Sequence, residues 1–432
     1  MSINRILGSS LVRNSFVYVV CDGINKAIPF LLLPFITYYL TPGDYGVVTN
    51  FNVYVQILSV FCFLCTAGAL PVMFNKLDKS EIRSYVSNMM LLNTVVTFVC
   101  LIINMFILRW IDRGLNISPT FQMYAIVVVW FTGITNINML LWRCEERPVA
   151  FGVYQISQSA VNAATTVVFV IILLLGWQGR VYSMMCSVIV FGIISLYILY
   201  RRGYLEARIR KEFLVQTLSF AVPIIPHALS FWFRGGVEKI LLTNMCDLSE
   251  NGLYSVALTW GSVVMMFLTA FNNAYAPYLY KKLAAFDKAP NETVHQQHSL
   301  IRLIRLCLLG TAVFVVLSYL VSIVMIRSIY PADYLGALSF LPWVMLAQMF
   351  QGGYLMFVCF SHYTFRTKPL GIITFTWSLI ACVLAWAGIR LFGPVGVSMA
   401  SAFVSFAIFV SVTLLAIRVY PMPWRHLFSF KL

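Results

Sequence analysis

The sequence predicts an all-α polytopic membrane protein with about twelve transmembrane helices in two six-helix halves, 1–205 and 206–432. Three observations predict it. Sixty per cent of the 432 residues are hydrophobic and 10% charged, with a mean hydropathy of +0.85, which leaves too little polar surface for a water-soluble core of this size. Windows of about 20 to 28 mostly apolar residues recur along the whole chain, and about 20 suffice to cross a bilayer as a helix. Finally, the basic residues alternate sharply from one inter-window segment to the next.

The first window, 14–40, contains CDGINKAIPFLLLP (21–34), which places Asp22, Lys26, Pro29 and Pro34 inside an apolar run. Its length, its internal charges and the lack of an A-x-A-like site argue against a cleaved signal peptide. The turn YLTPGDYGVV (39–48) leads into the second window, 47–74, whose Cys62 and Cys65 form a C-x-x-C. Both cysteines are embedded in FCFLCTAGA, so packing is expected there in preference to redox or metal chemistry. Windows 85–108, 120–142, 149–175 and 181–200 complete the first half, and the basic segment 201–216 divides the halves. Window 217–244 carries Pro223, Pro226, His227, Arg234, Gly235, Gly236, Glu238 and Lys239. After the turn DLSENGLYSVA (247–257) come 253–280, then 281–302 as a short interfacial helix or loop, then 303–326, 338–361, 370–389 and 395–418.

The net charge of +15 is explained by topology, not by a nucleic-acid partner. With the N-terminus inside, cytoplasmic segments hold 22 of the 30 Lys and Arg residues, while the outer loops hold five: Arg109, Arg113, Arg180, Arg327 and Arg390. That bias places both termini in the cytoplasm. No segment is long enough for a soluble domain.

The two halves look related. An offset of 208 residues aligns Leu40 with Leu248 in the two turns and Lys26 with Arg234 in the two leading helices. Pro29 and Pro34 interrupt the first of these helices, and Pro223, Pro226, Gly235 and Gly236 the second. These breakers are hinge candidates, because each proline removes a backbone hydrogen bond. Six spans per half implies parallel repeats related by an axis along the membrane normal.

Lys26 lies about 12 residues into its window, roughly 18 Å along a helix and near the bilayer midplane. A charge facing lipid at that depth costs about 2.5–3.5 kcal/mol on insertion scales, so Asp22, Lys26, Arg234, Glu238 and Lys239 must face protein or water. Asp22 with Lys26 and Arg234 with Glu238 are spaced i to i+4, on one helix face. Two readings stay open at this point: intrahelical ion pairs that help insertion, or a water-filled cavity whose cations await an anionic ligand. Asp22 and Glu238 either balance charge or bind H⁺ or Na⁺ to couple a transport cycle. Asn25, Gln56, Asn93, Asn162, Asn244, Asn272 and Asn273 either line a polar path or make helix–helix hydrogen bonds. His227 is a packed residue or a proton relay.

NKAIPFLLLPFITYYLTPGDYGVV (25–48), LSENGLYSVALTWGSVVMMFLTAFNNAYAPYLYKKL (248–283) and WRCEERPVAFGVYQ (142–155) resemble signatures of the polysaccharide-exporting branch of the multidrug/oligosaccharidyl-lipid/polysaccharide (MOP) exporter superfamily. Of that branch, the O-antigen flippases of Gram-negative bacteria are the group the sequence is most similar to. The resemblance implies a V-shaped fold of two six-helix lobes in the bacterial inner membrane. It also implies passage of an undecaprenyl-diphosphate-linked oligosaccharide from the cytoplasmic to the periplasmic leaflet, with other glycan-assembly membrane proteins as candidate partners. Within it, Lys26 and Arg234, and less directly Lys239, would be the cations of the cavity. A small-molecule exporter of the same superfamily is the main rival, and it would favour a negatively charged cavity. A membrane glycan polymerase would need acids or arginines on sizeable outer loops, and here the outer acids are scattered. The HQQH segment with His295 and His298 lacks further ligands for a metal, and no Gly-rich phosphate loop for ATP is present. No cofactor and no enzymatic activity are expected.

Overall fold

The computed structural model describes residues 10–206, 208–288 and 294–427, the side chains of 10–16, 19, 227, 231, 294, 426 and 427 excepted. Among the described residues there is no strand. The helices are α1 (Ser10–Ile36), α2 (Pro42–Phe63), α3 (Leu70–Lys76), α4 (Lys79–Leu115), α5 (Pro119–Cys144), α6 (Pro148–Thr166) and α7 (Gly176–Arg201). They continue as α8 (Lys211–Ala221), α9 (Ile225–Met245), α10 (Leu248–Lys288), α11 (Val294–Ile329), α12 (Ala337–Tyr363), α13 (Thr367–Phe392) and α14 (Gly396–Val419). Helix is what the bilayer demands, since it satisfies every backbone polar group within the segment.

Among the described residues, eleven segments are long and apolar enough to cross a membrane. Helix α1, which carries Asp22, Lys26, Pro29 and Pro34 over its 27 residues, stands outside that set. Local sequence fixes several helix starts. Thr41 caps α2 with a complete capping box, its Oγ1 accepting from the Asp44 amide at 3.1 Å while Asp44 accepts from the Thr41 amide at 3.0 Å. Prolines at the first turns of α2, α5 and α6 begin helices where their missing N–H costs nothing.

Three windows differ from plain helices. The second breaks at Leu64 and Cys65, both left-handed (φ 47° and 59°), and resumes through a 3-10 turn, Thr66–Ala69, into α3. The fifth ends in a π segment, Val167–Ile172. The seventh is split by a 3-10 turn, Val222–Ile224, where Pro223 falls. Pro223, which lacks an amide hydrogen, accounts for the third break.

The chain forms two compact units. The first comprises residues 1–232 and 247–252. In it α1 packs on α6, α5 on α7, and α2 on α4 and α5. Tyr85, Met89, Leu141, Leu199 and Phe213 form a dry core. Helix α8 belongs to this unit: Thr217 donates to the Tyr85 hydroxyl at 2.9 Å, and the segment before α8 is tied to α4. Asn88 donates to the Arg208 carbonyl at 2.9 Å and accepts from the Arg210 amide at 2.8 Å. The second unit, residues 233–246 and 253–432, packs α12 on α14, α13 on α14 and α11 on α12. At one end of it Asp287 accepts hydroxyls from Tyr363 (2.5 Å) and Tyr420 (2.8 Å). Burial and then the neighbouring Asp287 push the Tyr420 phenol well above its ordinary range.

The two turns matched at the 208-residue offset meet within the first unit, and they do so reciprocally. A Cβ on Gly46 would lie 2.0 Å from the Leu248 carbonyl oxygen, and one on Gly252 would lie 1.9 Å from the Pro42 carbonyl oxygen. Asn251 donates across the same contact to Asn50 Oδ1 at 2.8 Å. Only glycine permits this backbone approach. Gly46→Ala and Gly252→Ala are therefore expected to cost about 1–3 kcal/mol or more, read as loss of folded protein and a lowered unfolding temperature in detergent. Gly23→Ala and Gly310→Ala, which would meet nothing within 4 Å, serve as the controls and should change little.

Candidate functional site

In the first unit the site is built on the interrupted middle of α1. Pro29 has no amide to offer the Asn25 carbonyl one turn back, and Pro34 none for that of Phe30. Pro29 borders a cavity of about 190 Å³ lined also by Gln158, Ser159, Asn162, Arg180 and Ser187 from α6 and α7. Asn25 is drawn to its edge by a short hydrogen bond from the Ser159 hydroxyl. Lys26 is exposed on α1, and among the described residues no carboxylate lies within 4.0 Å of it. Asp22 does not pair with Lys26. It is reached instead by Arg143 from the last turn of α5, at 3.9 Å with both side chains about half exposed.

In the second unit α9 presents Arg234, Glu238 and Lys239. Glu238 is buried, at 5% exposure, and its carboxylate accepts a hydrogen bond from the Tyr254 hydroxyl at 2.5 Å. Arg234 is partly buried and faces the electrostatic influence of Glu238 and Tyr354. Among the described residues no Arg234–Glu238 ion pair within 4.0 Å forms. The intrahelical pairs expected from i, i+4 spacing are thus absent from both leading helices among the described residues. Geometry, not spacing, decides: each acid finds a better-oriented partner on another helix. Gly235 is exposed with open space around it and Gly236 is buried. Pro226 sits in the first turn of α9.

The other polar candidates separate by burial. Asn93 is buried and accepts from Thr66 at 3.0 Å, the helix–helix bond weighed for it. Gln56, Asn244 and Asn273 are exposed and Asn272 partly so; Asn244 also donates to its own helix at Ile240. The His227 side chain lies outside the described residues. Among them no cluster of metal-ligating side chains occurs, and Cys62 and Cys65 are both free cysteines with no disulfide between them. Arg180 was missed as a site residue. It was expected in an outer loop, but α7 begins at Gly176 and draws it one turn into the helix. Its Nη1 donates to Asn162 Oδ1 at 2.7 Å and Thr166 Oγ1 at 2.8 Å. The signal available was the polar spacing of Asn162 and Thr166 on α6, four residues apart on one face. Tyr254→Phe, which strips a buried carboxylate of its hydroxyl donor, is expected to lower stability by about 1.5–3 kcal/mol, measured as a shift in the thermal unfolding of the purified protein. An unchanged midpoint would mean that the Glu238 bond carries no load.

Comparison with known proteins narrows the class. The chain is 24% identical over 280 residues to a protein of the Lsg locus of Haemophilus influenzae, a match covering 63% of this chain and 66% of that one. It is 23% identical over 287 residues to a second membrane protein of the same organism, again covering 63% and 66%. The match therefore spans just under two thirds of the length of each of these relatives. In fold, the chain is similar to an inward-facing multidrug resistance MATE family transporter of the MOP superfamily, with a TM-score of 0.70 and 12% identity over 93% of this chain and 98% of that one. It is equally similar to the lipid II flippase MurJ in an inward closed conformation, with a TM-score of 0.70 and 11% identity over 95% of this chain and 89% of that one. These likenesses establish an all-helical fold like that of these two proteins. Residues 11–282, which include α1, α9 and both matched turns, carry the pattern of the polysaccharide biosynthesis proteins, and the chain belongs to that family.

Proposed function

We propose that the chain is a flippase that moves an undecaprenyl-diphosphate-linked oligosaccharide, an O-antigen-type repeat unit, from the cytoplasmic to the periplasmic leaflet of a bacterial inner membrane. The observation that carries this reading is Lys26: an exposed cation midway along an interrupted membrane helix, without a carboxylate partner among the described residues. Arg234 and Lys239 hold the corresponding place in the second leading helix. Membership of a polysaccharide biosynthesis family supports a glycan as cargo, and the fold likeness to a lipid II flippase is consistent with a lipid-linked one.

The physical task explains the residues. A hydrated glycan and a diphosphate cannot cross about 30 Å of hydrocarbon without a polar route. In the proposed cycle the lipid tail stays in the bilayer while the headgroup passes through a cationic central cavity. Lys26, Arg234 and Lys239 pair with the diphosphate there, Arg offering the bidentate fork. Pro29, Pro34, Pro223, Pro226, Gly235 and Gly236 supply the bending by which the cavity opens alternately to each side. Both termini are proposed to be cytoplasmic. Engagement of Asp22 by Arg143 leaves Lys26 free to act on the ligand. The buried carboxylate of Glu238, with Tyr254 and Ser401 around it, is the better candidate for an H⁺ or Na⁺ site coupling the cycle to an ion gradient.

Lys26→Ala and Arg234→Ala should each abolish surface glycan in cells that depend on this protein, with membrane levels of the protein near normal. Surface glycan at wild-type levels in both variants would remove the diphosphate role. Export of cationic dyes by the wild-type chain, with no effect on glycan, would point to the small-molecule exporter instead. Glu238→Gln should flatten the dependence of transport on pH or on sodium. A dependence unchanged from wild type excludes Glu238 as the coupling residue.

A further inference from the structure

The cavity beside Pro29 contains one cation that the proposed transport route does not use. Arg180 sits one turn inside α7, within a membrane-spanning segment. Its Nη1 is held by three neutral oxygens: Asn162 Oδ1 at 2.7 Å, Thr166 Oγ1 at 2.8 Å and Ser183 Oγ at 3.2 Å. The acceptors are themselves fixed. Thr166 donates to the Asn162 carbonyl at 2.6 Å, and Ser183 to the Arg180 carbonyl at 2.7 Å. Among the described residues no carboxylate lies within 4.0 Å of the guanidinium, so the network orients the positive charge without neutralising it. Leaving an oriented cation uncompensated in a low-dielectric setting is costly, and an incoming anion recovers that cost.

Two further features converge on the same place. The π segment Val167–Ile172 starts directly after Thr166, so the backbone beside the cradle leaves regular i to i+4 bonding there. The Gln158 side chain, for which the described residues provide no hydrogen-bond partner, lines the cavity as well. Nη1 alone of the guanidinium nitrogens is bonded to the described residues, leaving the Nε–Nη2 edge, which is the fork that grips an oxyanion through two parallel bonds.

We propose that Arg180, with Asn162, Thr166 and Ser183 as its cradle and Gln158 as an added donor, forms a binding site for a phosphate-type oxyanion. The site lies on the first unit by itself, and near its outward end in the expected topology. Identifying the anion with the substrate's diphosphate rests on the flippase reading above, and in that case Arg180 receives the headgroup after it leaves Lys26. The anion site itself does not depend on that reading.

The test uses the full-length protein in lipid nanodiscs and calorimetric titration with a short-chain prenyl diphosphate, inorganic pyrophosphate and the matching prenyl alcohol. The alcohol is expected not to bind. Tighter binding of the prenyl diphosphate than of pyrophosphate identifies a lipid headgroup as the ligand; equal binding identifies a soluble phosphate anion. Arg180→Gln should weaken diphosphate binding by roughly 10- to 100-fold, and Arg180→Lys should recover part of it, with the unfolding temperature close to that of wild type. Should Arg180→Gln fail to fold, Asn162→Asp places a carboxylate against the guanidinium, keeps the cradle and is expected to suppress binding equally. Wild-type affinity in Arg180→Gln or in Asn162→Asp, or no binding of either diphosphate to the wild-type protein, overturns the site. Because the titration needs no transport, a wild-type chain that binds diphosphate through Arg180 but moves no glycan would remove the functional reading and leave the anion site standing.

Discussion

Hydrocarbon tolerates neither an unpaired backbone polar group nor an unsolvated charge, and every feature described above answers to that constraint. It makes the chain helical throughout the described spans. It also makes each departure from regular helix informative, because a broken ladder must be repaired by side chains, by a neighbouring helix or by water. The break at Leu64–Cys65 and the π segment after Thr166 each sit where polar side chains stand close. Thr66 bonds Asn93 beside the first, and Thr166 bonds Ser183 beside the second.

The same constraint sorts the charges. The buried carboxylate of Glu238 is engaged by the Tyr254 hydroxyl. At the end of α5 a denser cluster forms: Glu145 receives Arg202 in a close ion pair and the Tyr204 hydroxyl at 3.1 Å. Burial, and then the charge of Glu145, raise the Tyr204 phenol above its ordinary range, which suits a hydroxyl that serves only as a donor. Lys26 and Arg180, like Arg234, have no carboxylate within 4.0 Å among the described residues. Lys26 is exposed, and Arg180 is held by neutral oxygens. Both positions suit the anionic ligand proposed for them.

Much of this was legible in the chain. Hydropathy located the spans because a helix needs the same number of apolar residues wherever it crosses. The offset between Lys26 and Arg234 and between the two turns was legible because repeats keep their breakers and caps. The contact that makes the turns matter was not: nothing in YLTPGDYGVV says that Gly46 will rest on the Leu248 carbonyl, since that requires two segments about 200 residues apart to meet. Asp22 shows the same limit. Its spacing from Lys26 is ideal for a pair on an isolated helix, yet α5 brings Arg143 within reach and the pair is made there.

The sequence by itself determined a many-spanning helical protein, the interrupted leading helices and the presence of cations within them, because composition and local periodicity act over a few residues. Tertiary structure alone decided what the acids beside those cations bond to: Asp22 is reached by Arg143 and Glu238 by the Tyr254 hydroxyl. It also drew Arg180 from an expected loop into the wall of a polar cavity. The reason is physical: the energy of a charge in a membrane depends on what stands within a few ångströms of it, and that is settled by how helices pack, not by the order of residues along any one of them.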